Sequence, residues 1–107
     1  MQIEELNNFV VLFDIYGKLL SKKQYEIMSE FLNFNLSETE LAESSGASRQ
    51  SVHDAITKAK KQLELFEEKC GILKNSNEAK QKLTKLKSVL ANNDKAQNII
   101  DDIINII

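Results

Sequence analysis

Residues 38–57, ETELAESSGASRQSVHDAIT, constrain the fold of this chain more than any other stretch, because small and apolar residues fall there at helix-turn-helix spacing. Ala42 lies inside a first short helix, where a small side chain lets a second helix cross closely. Gly46, four positions on, falls in the turn, where a left-handed backbone is cheap only for glycine. Val52 follows ten positions after Ala42 and faces back inward, with Leu41, Ala47 and Ile56 expected to complete a small core. Ser48 stands just before the second helix as an N-cap acceptor for its unpaired amides. Such a unit is the usual vehicle for placing one helix in a DNA major groove.

The surrounding chain reads as helix throughout. With no proline and only Gly17, Gly46 and Gly71 as glycines, it has few places to break. Residues 3–20 predict a helix with Leu6, Phe9, Val10, Phe13 and Leu20 on one side, and Val11, Leu12, Ile15 and Leu19 make its flanks apolar too. Ser21 with Gln24 forms a capping box that opens a second helix, whose inward stripe is Ile27, Met28, Phe31 and Leu32. Asn33 to Asn35 read as a loop, and Ser37 with Glu40 is a second capping box opening the helix 38–45. From Ser48 a long helix runs to about Lys69, with Val52, Ile56, Ala59, Leu63 and Phe66 on one face and Gly71 as its left-handed stop. Two more helices are expected at about 77–91 and 94–107, the second with Asp94 as N-cap. The fold class is therefore all-α: a helix-turn-helix bundle with a long recognition helix and two C-terminal helices. Residues 1–73 are expected to form the helix-turn-helix domain, and 74–107 a helical hairpin packing on the same core or on a dimer partner.

Bulk properties exclude several classes. At 107 residues, 42% hydrophobic and 28% charged, the chain has the makeup of one ordinary globular domain. No apolar run approaches the roughly 20 residues that span a bilayer. The polar start MQIEELNN does not resemble a secretory signal, and Cys70 is a lone cysteine, so a cytoplasmic protein without a disulfide framework is expected. No His, Cys, Asp and Glu set has metal-ligand spacing, no glycine loop would cradle phosphate, and no nucleophile stands with a base. Neither an enzyme nor a cofactor is expected.

Charge distribution says more than the net −2. Residues 1–47 carry three Lys against eight Asp or Glu, or −5. Residues 48–62 carry Arg49, Lys58, Lys60 and Lys61 against Asp54, or +3, and the remainder balances. Stepping 100° per residue from Val52 sends Gln50, Asp54, Thr57 and Lys61 directly away from the core, with Ser51, His53 and Lys58 on the flanks. Arg49 lies in the first turn, where a recognition helix meets base edges or phosphates. Arginine can bridge two acceptors of guanine and glutamine can pair with adenine, while Lys58, Lys60 and Lys61 would hold phosphates without reading sequence. Ser48, Arg49, Gln50, Ser51, His53, Thr57, Lys58 and Lys61 are thus the candidate DNA-binding residues, and the bland alternative for all of them is a solvated polar face. Asp54 in mid-face repels phosphate, so weak to moderate affinity is expected.

LLSKKQYEIM (19–28) followed by SETELAESSGASRQSVHDAI (37–56) resembles the YlxM-like family of small bacterial helix-turn-helix DNA-binding proteins, itself similar to region 4 of the sigma-70 type factors. The likeness extends into LFDIYGKLL upstream and KKQLELFEEKCGIL downstream, covering about residues 4–73. It implies an all-helical fold, a recognition helix beginning at Arg49, Gln50 and Ser51, and a link to the signal recognition particle pathway. Lys22 departs from the family pattern, which often has proline there. Two readings follow: a small regulator that binds DNA, with a second copy as a candidate partner, or an accessory factor that docks on the signal recognition particle GTPase or its RNA. No membrane partner is expected.

Overall fold

The computed structural model describes residues 3–107, and every regular element among them is helical. Met1 and Gln2, the start of the expected polar N-terminus, lie outside the described residues. The chain forms two compact units, one ending at Cys70 and one beginning at Gly71.

The first unit contains α1 (Ile3–Tyr16), a 3₁₀ turn (Gly17–Leu19), α2 (Lys22–Asn33), α3 (Glu38–Ser45) and α4 (Arg49–Cys70). Its local chemistry sets the helix starts. At α2 the Gln24 N–H donates to Ser21 Oγ at 3.2 Å, and the Ser21 N–H donates back to Gln24 Oε1 at 3.3 Å. At α3 the Glu40 N–H donates to Ser37 Oγ at 3.1 Å and the Ser37 N–H to Glu40 Oε1 at 3.4 Å. Both are reciprocal capping boxes, each satisfying two amides that the first turn leaves without partners. Ser48 acts as expected too, its Oγ accepting from the Ser51 N–H at 3.1 Å.

Gly46 ends α3 with φ +74°, its N–H donating to the Ala42 carbonyl at 3.0 Å. Space is not what demands glycine there, since a Cβ would meet nothing within 4 Å. Backbone strain is. We expect Gly46→Ala to lower stability by about 1 kcal/mol, the cost of a left-handed backbone for a residue with a Cβ. Thermal unfolding would check it, and an unchanged midpoint would contradict this account.

α4 is the element on which the unit is built, packing against α1, α2 and α3 in turn. Val52, Ile56, Ala59 and Leu63 line its inner face, with Ala59 and Leu63 wholly buried. Met28 of α2 and Leu41 of α3 close over this stripe, and α1 contributes Phe9, Leu12, Phe13 and Tyr16. The Phe13 and Tyr25 rings meet at a 31° tilt with 5.1 Å between centroids. The Tyr16 hydroxyl, otherwise buried, donates to Glu67 Oε1 at 2.7 Å and so ties α1 to the far part of α4.

Three expectations need correction in this unit. α1 stops at Tyr16, and the chain tightens into the 3₁₀ turn before Leu20, so no single helix spans 3–20. Its buried stripe runs through Leu12 and Tyr16, while Leu6 and Val10 are only half-buried, because the seat on α4 selects the Phe9–Phe13–Tyr16 face. Ala47 is exposed and lies outside the core: the left-handed Gly46 swings the chain out before α4 begins.

The second unit is a hairpin of α5 (Ile72–Val89) and α6 (Asp94–Ile106). Gly71, at φ +63°, has the left-handed backbone expected of it and directly precedes α5. α5 therefore starts five positions before the expected 77, since Asn75 and Ser76 enter a helix that no proline interrupts. The N-cap of α6 is Asn93 and not Asp94; its Oδ1 accepts from the Ala96 N–H at 3.0 Å. Gln97 closes the end of α5 by donating to the carbonyls of Lys87 and Leu90 at 2.7 and 2.8 Å. Lys87 Nζ pairs with Asp101 Oδ1 at 2.7 Å. Ile100 is buried, yet Leu86, Val89, Ile99, Ile103 and Ile106 remain exposed.

Candidate nucleic-acid interface

The face of α4 away from α1, α2 and α3 begins at its capped N-terminus. Ser48, Arg49, Gln50, Ser51, His53, Lys58 and Lys61 are all exposed there, so the helix geometry that Val52 imposes brings them to one surface. Thr57 is the exception, being half-buried. Among the described residues, Arg49, Lys58 and Lys61 enter no ion pair.

Lys60, which the sequence groups with the phosphate-holding lysines, does not join them. Its ammonium lies 5.2 Å from the Phe9 ring centroid and 5.4 Å from that of Phe31. A cation over two aromatic faces gains from their quadrupoles, and the aliphatic stem adds packing. The tertiary fold thus turns Lys60 into a tie from α4 to α1 and α2.

Two of the reading candidates are engaged by acids. Gln50 Nε2 donates to Asp54 Oδ1 at 3.0 Å, one helical turn away. His53 Nδ1 lies 2.9 Å and 3.2 Å from the two carboxylate oxygens of Glu38, the first residue of α3. His53 is thus a link across the helix-turn-helix and not simply a solvated residue. Exposed pairs of this kind contribute about 0–1 kcal/mol, so the link orients the side chain more than it stabilises the fold.

Two surface depressions flank this end of α4. One is lined by Glu38, Arg49, Gln50 and His53. The other runs from Ser21, Lys23 and Gln24 at the start of α2 to Ser48 and to Gln50, Ser51, Asp54, Ala55 and Lys58 of α4. Lys23 is therefore a further cation at the same surface, which reading α4 alone misses. The signal was present in the sequence as the pair Lys22-Lys23 behind a capping serine, but only the α2–α4 packing brings it alongside Lys58. Chemically the surface offers arginine and lysine cations, serine hydroxyls, the amides of Gln24 and Gln50 and the His53 ring, a donor set suited to phosphate and base edges. No helix among the described residues is long and apolar enough to cross a membrane.

Comparison with known proteins places the helix-turn-helix in a family. The model of the family UPF0122, described as "Putative helix-turn-helix protein, YlxM / p13 like", matches residues 3–103. The UPF0122 protein of Thermoanaerobacter sp. (strain X514) is 42% identical over 77 residues, 72% of this chain and 66% of that protein. The chain thus spans just under two thirds of that relative's length. UPF0122 protein YlxM of Bacillus subtilis (strain 168) is 36% identical over 99 residues, covering 92% of this chain and 90% of its own.

Proposed function

Because the chain belongs to the YlxM/p13-like helix-turn-helix family, we propose that it is a regulatory protein that binds DNA with weak to moderate affinity. Residues 48–61 of α4 and the turn before it carry the binding. The observation behind this reading is the exposed, unpaired set of Arg49, Lys58 and Lys61 on the outer face of the second helix of a helix-turn-helix. Arg49, Gln50 and Ser51 would meet base edges from the first turn, with Ser48 and His53 beside them. Lys58 and Lys61 would hold phosphates, and Thr57 would contribute at most a partial contact. One such module makes few contacts, so a second copy multiplies affinity by engaging a second half-site. The exposed apolar residues Leu86, Val89, Ile99, Ile103 and Ile106 of the C-terminal hairpin are the candidate seat for that copy.

A second reading has its own support. The −5 charge of residues 1–47 suits docking on a basic protein surface better than on nucleic acid. Such a protein would be an accessory factor of the signal recognition particle in the cytoplasm, bound through its acidic part to the GTPase or through the basic residues 48–62 to the RNA.

Titration against mixed genomic DNA fragments, and separately against the particle's GTPase and RNA, at low and physiological salt, separates the two. The regulator requires DNA retention that weakens steeply as salt rises. Absence of any DNA retention at low salt, with GTPase or RNA binding intact, would sink it in favour of the accessory factor.

A further inference from the structure

The reading face carries its own opposition, and both parts of it are acidic. Asp54 lies in mid-face and holds the Gln50 amide at 3.0 Å. Glu38, across the turn on α3, holds the His53 ring at 2.9 Å. Together they engage both reading groups on α4 that contain an amide or imidazole nitrogen. Each carboxylate also lies in a depression that the basic residues line: Glu38 beside Arg49, and Asp54 beside Lys58 and Lys23. Neither carboxylate is needed for the core, because the buried residues of the first unit, among those described, are apolar side chains, Tyr16 or Gly17.

We propose that Glu38 and Asp54 form a built-in electrostatic brake on the α4 surface, occupying Gln50 and His53 and repelling phosphate until a nucleic acid offers contacts good enough to displace them. This rests on the DNA-binding reading and adds how that surface is regulated. A non-specific duplex supplies phosphates that meet both carboxylates and offers nothing in return for freeing Gln50 and His53. A correct site supplies base-edge partners for the freed amide and ring, so the brake lowers background binding more than specific binding. Discrimination therefore comes from the repulsive elements as much as from the attractive ones.

The isosteric variants Glu38→Gln and Asp54→Asn test this, since each removes the charge and keeps an oxygen to accept from His53 or Gln50. Fluorescence anisotropy with a labelled mixed-sequence duplex reads the affinity, and thermal unfolding confirms the fold. Each variant is expected to bind about fivefold more tightly at low salt, the effect of one like charge about 4 Å from a phosphate in water. The gain should shrink as salt is raised, because screening weakens charge repulsion between exposed groups. Glu38→Ala and Asp54→Ala, which remove charge and acceptor together, should give the same gain. If the wild-type protein binds and the variants bind equally or more weakly, the brake is overturned while the DNA-binding reading stands. If neither wild type nor variants bind at low salt, both fall together.

Discussion

Leu63→Ala is expected to destabilise the first unit by about 3 kcal/mol, within the range for a leucine truncated in a packed core. Leu63 has no exposed surface, and it lies on the face of α4 that α1 and α2 cover. Removing its side chain loses the transfer free energy of three carbons and leaves a cavity that neighbours can fill only in part. The core as a whole is tightly enclosed, with Tyr16 and Met28 at 1% and 0% exposure, and has little freedom to collapse into the gap. For a unit of this size the midpoint of thermal unfolding should fall by roughly 10–20 °C. Circular dichroism on heating would measure it, and a shift of only a few degrees would mean that the core is looser than the burial implies.

The second large effect concerns the α4 surface. Arg49→Ala combined with Lys58→Ala should weaken DNA retention by about 10–100-fold at low salt and lower the salt slope by about 2, one unit for each cation lost. Both residues are exposed and neither enters an ion pair among the described residues, so their loss should leave folding almost unchanged. Lys60→Ala is the informative control. Its ammonium is held over Phe9 and Phe31, so that variant should keep the salt slope and lose stability by about 1 kcal/mol through lost packing and cation–π attraction. A steeper loss of DNA retention for Lys60→Ala than for the double variant would show that DNA meets the Lys60 side of α4 and not the Arg49–Lys58 side.

The contrast between Lys58 and Lys60 illustrates how much of the candidate surface was legible beforehand. A helical wheel centred on Val52 correctly sends Gln50, Asp54 and Lys61 outward, because rotation about a helix axis is a property of spacing alone. It cannot say which neighbouring helix lies within reach of a long flexible side chain. Lys60 was lost to the aromatic faces of α1 and α2, and His53 to a carboxylate fifteen residues away. Lys23 was gained for the same reason. Ala47 went the other way, its expected burial undone by the path the chain takes out of Gly46.

What the sequence determined by itself is the chemistry that closes over a few residues. Ser21 with Gln24, Ser37 with Glu40, Ser48 and the left-handed glycines at 46 and 71 set helix ends through hydrogen bonds and backbone preferences within about one turn. The all-helical class and the helix-turn-helix followed from them. Where two local solutions were nearly equal, as between Asn93 and Asp94, or between a break and a continuous helix at Asn75 and Ser76, local chemistry alone did not decide. Only the tertiary structure chose the α1 face that seats on α4, through Leu12 and Tyr16, and paired each exposed charge with or without a partner. Those outcomes depend on packing and on groups distant in the chain. Burial is a sum over neighbours, and spacing along one helix does not contain it.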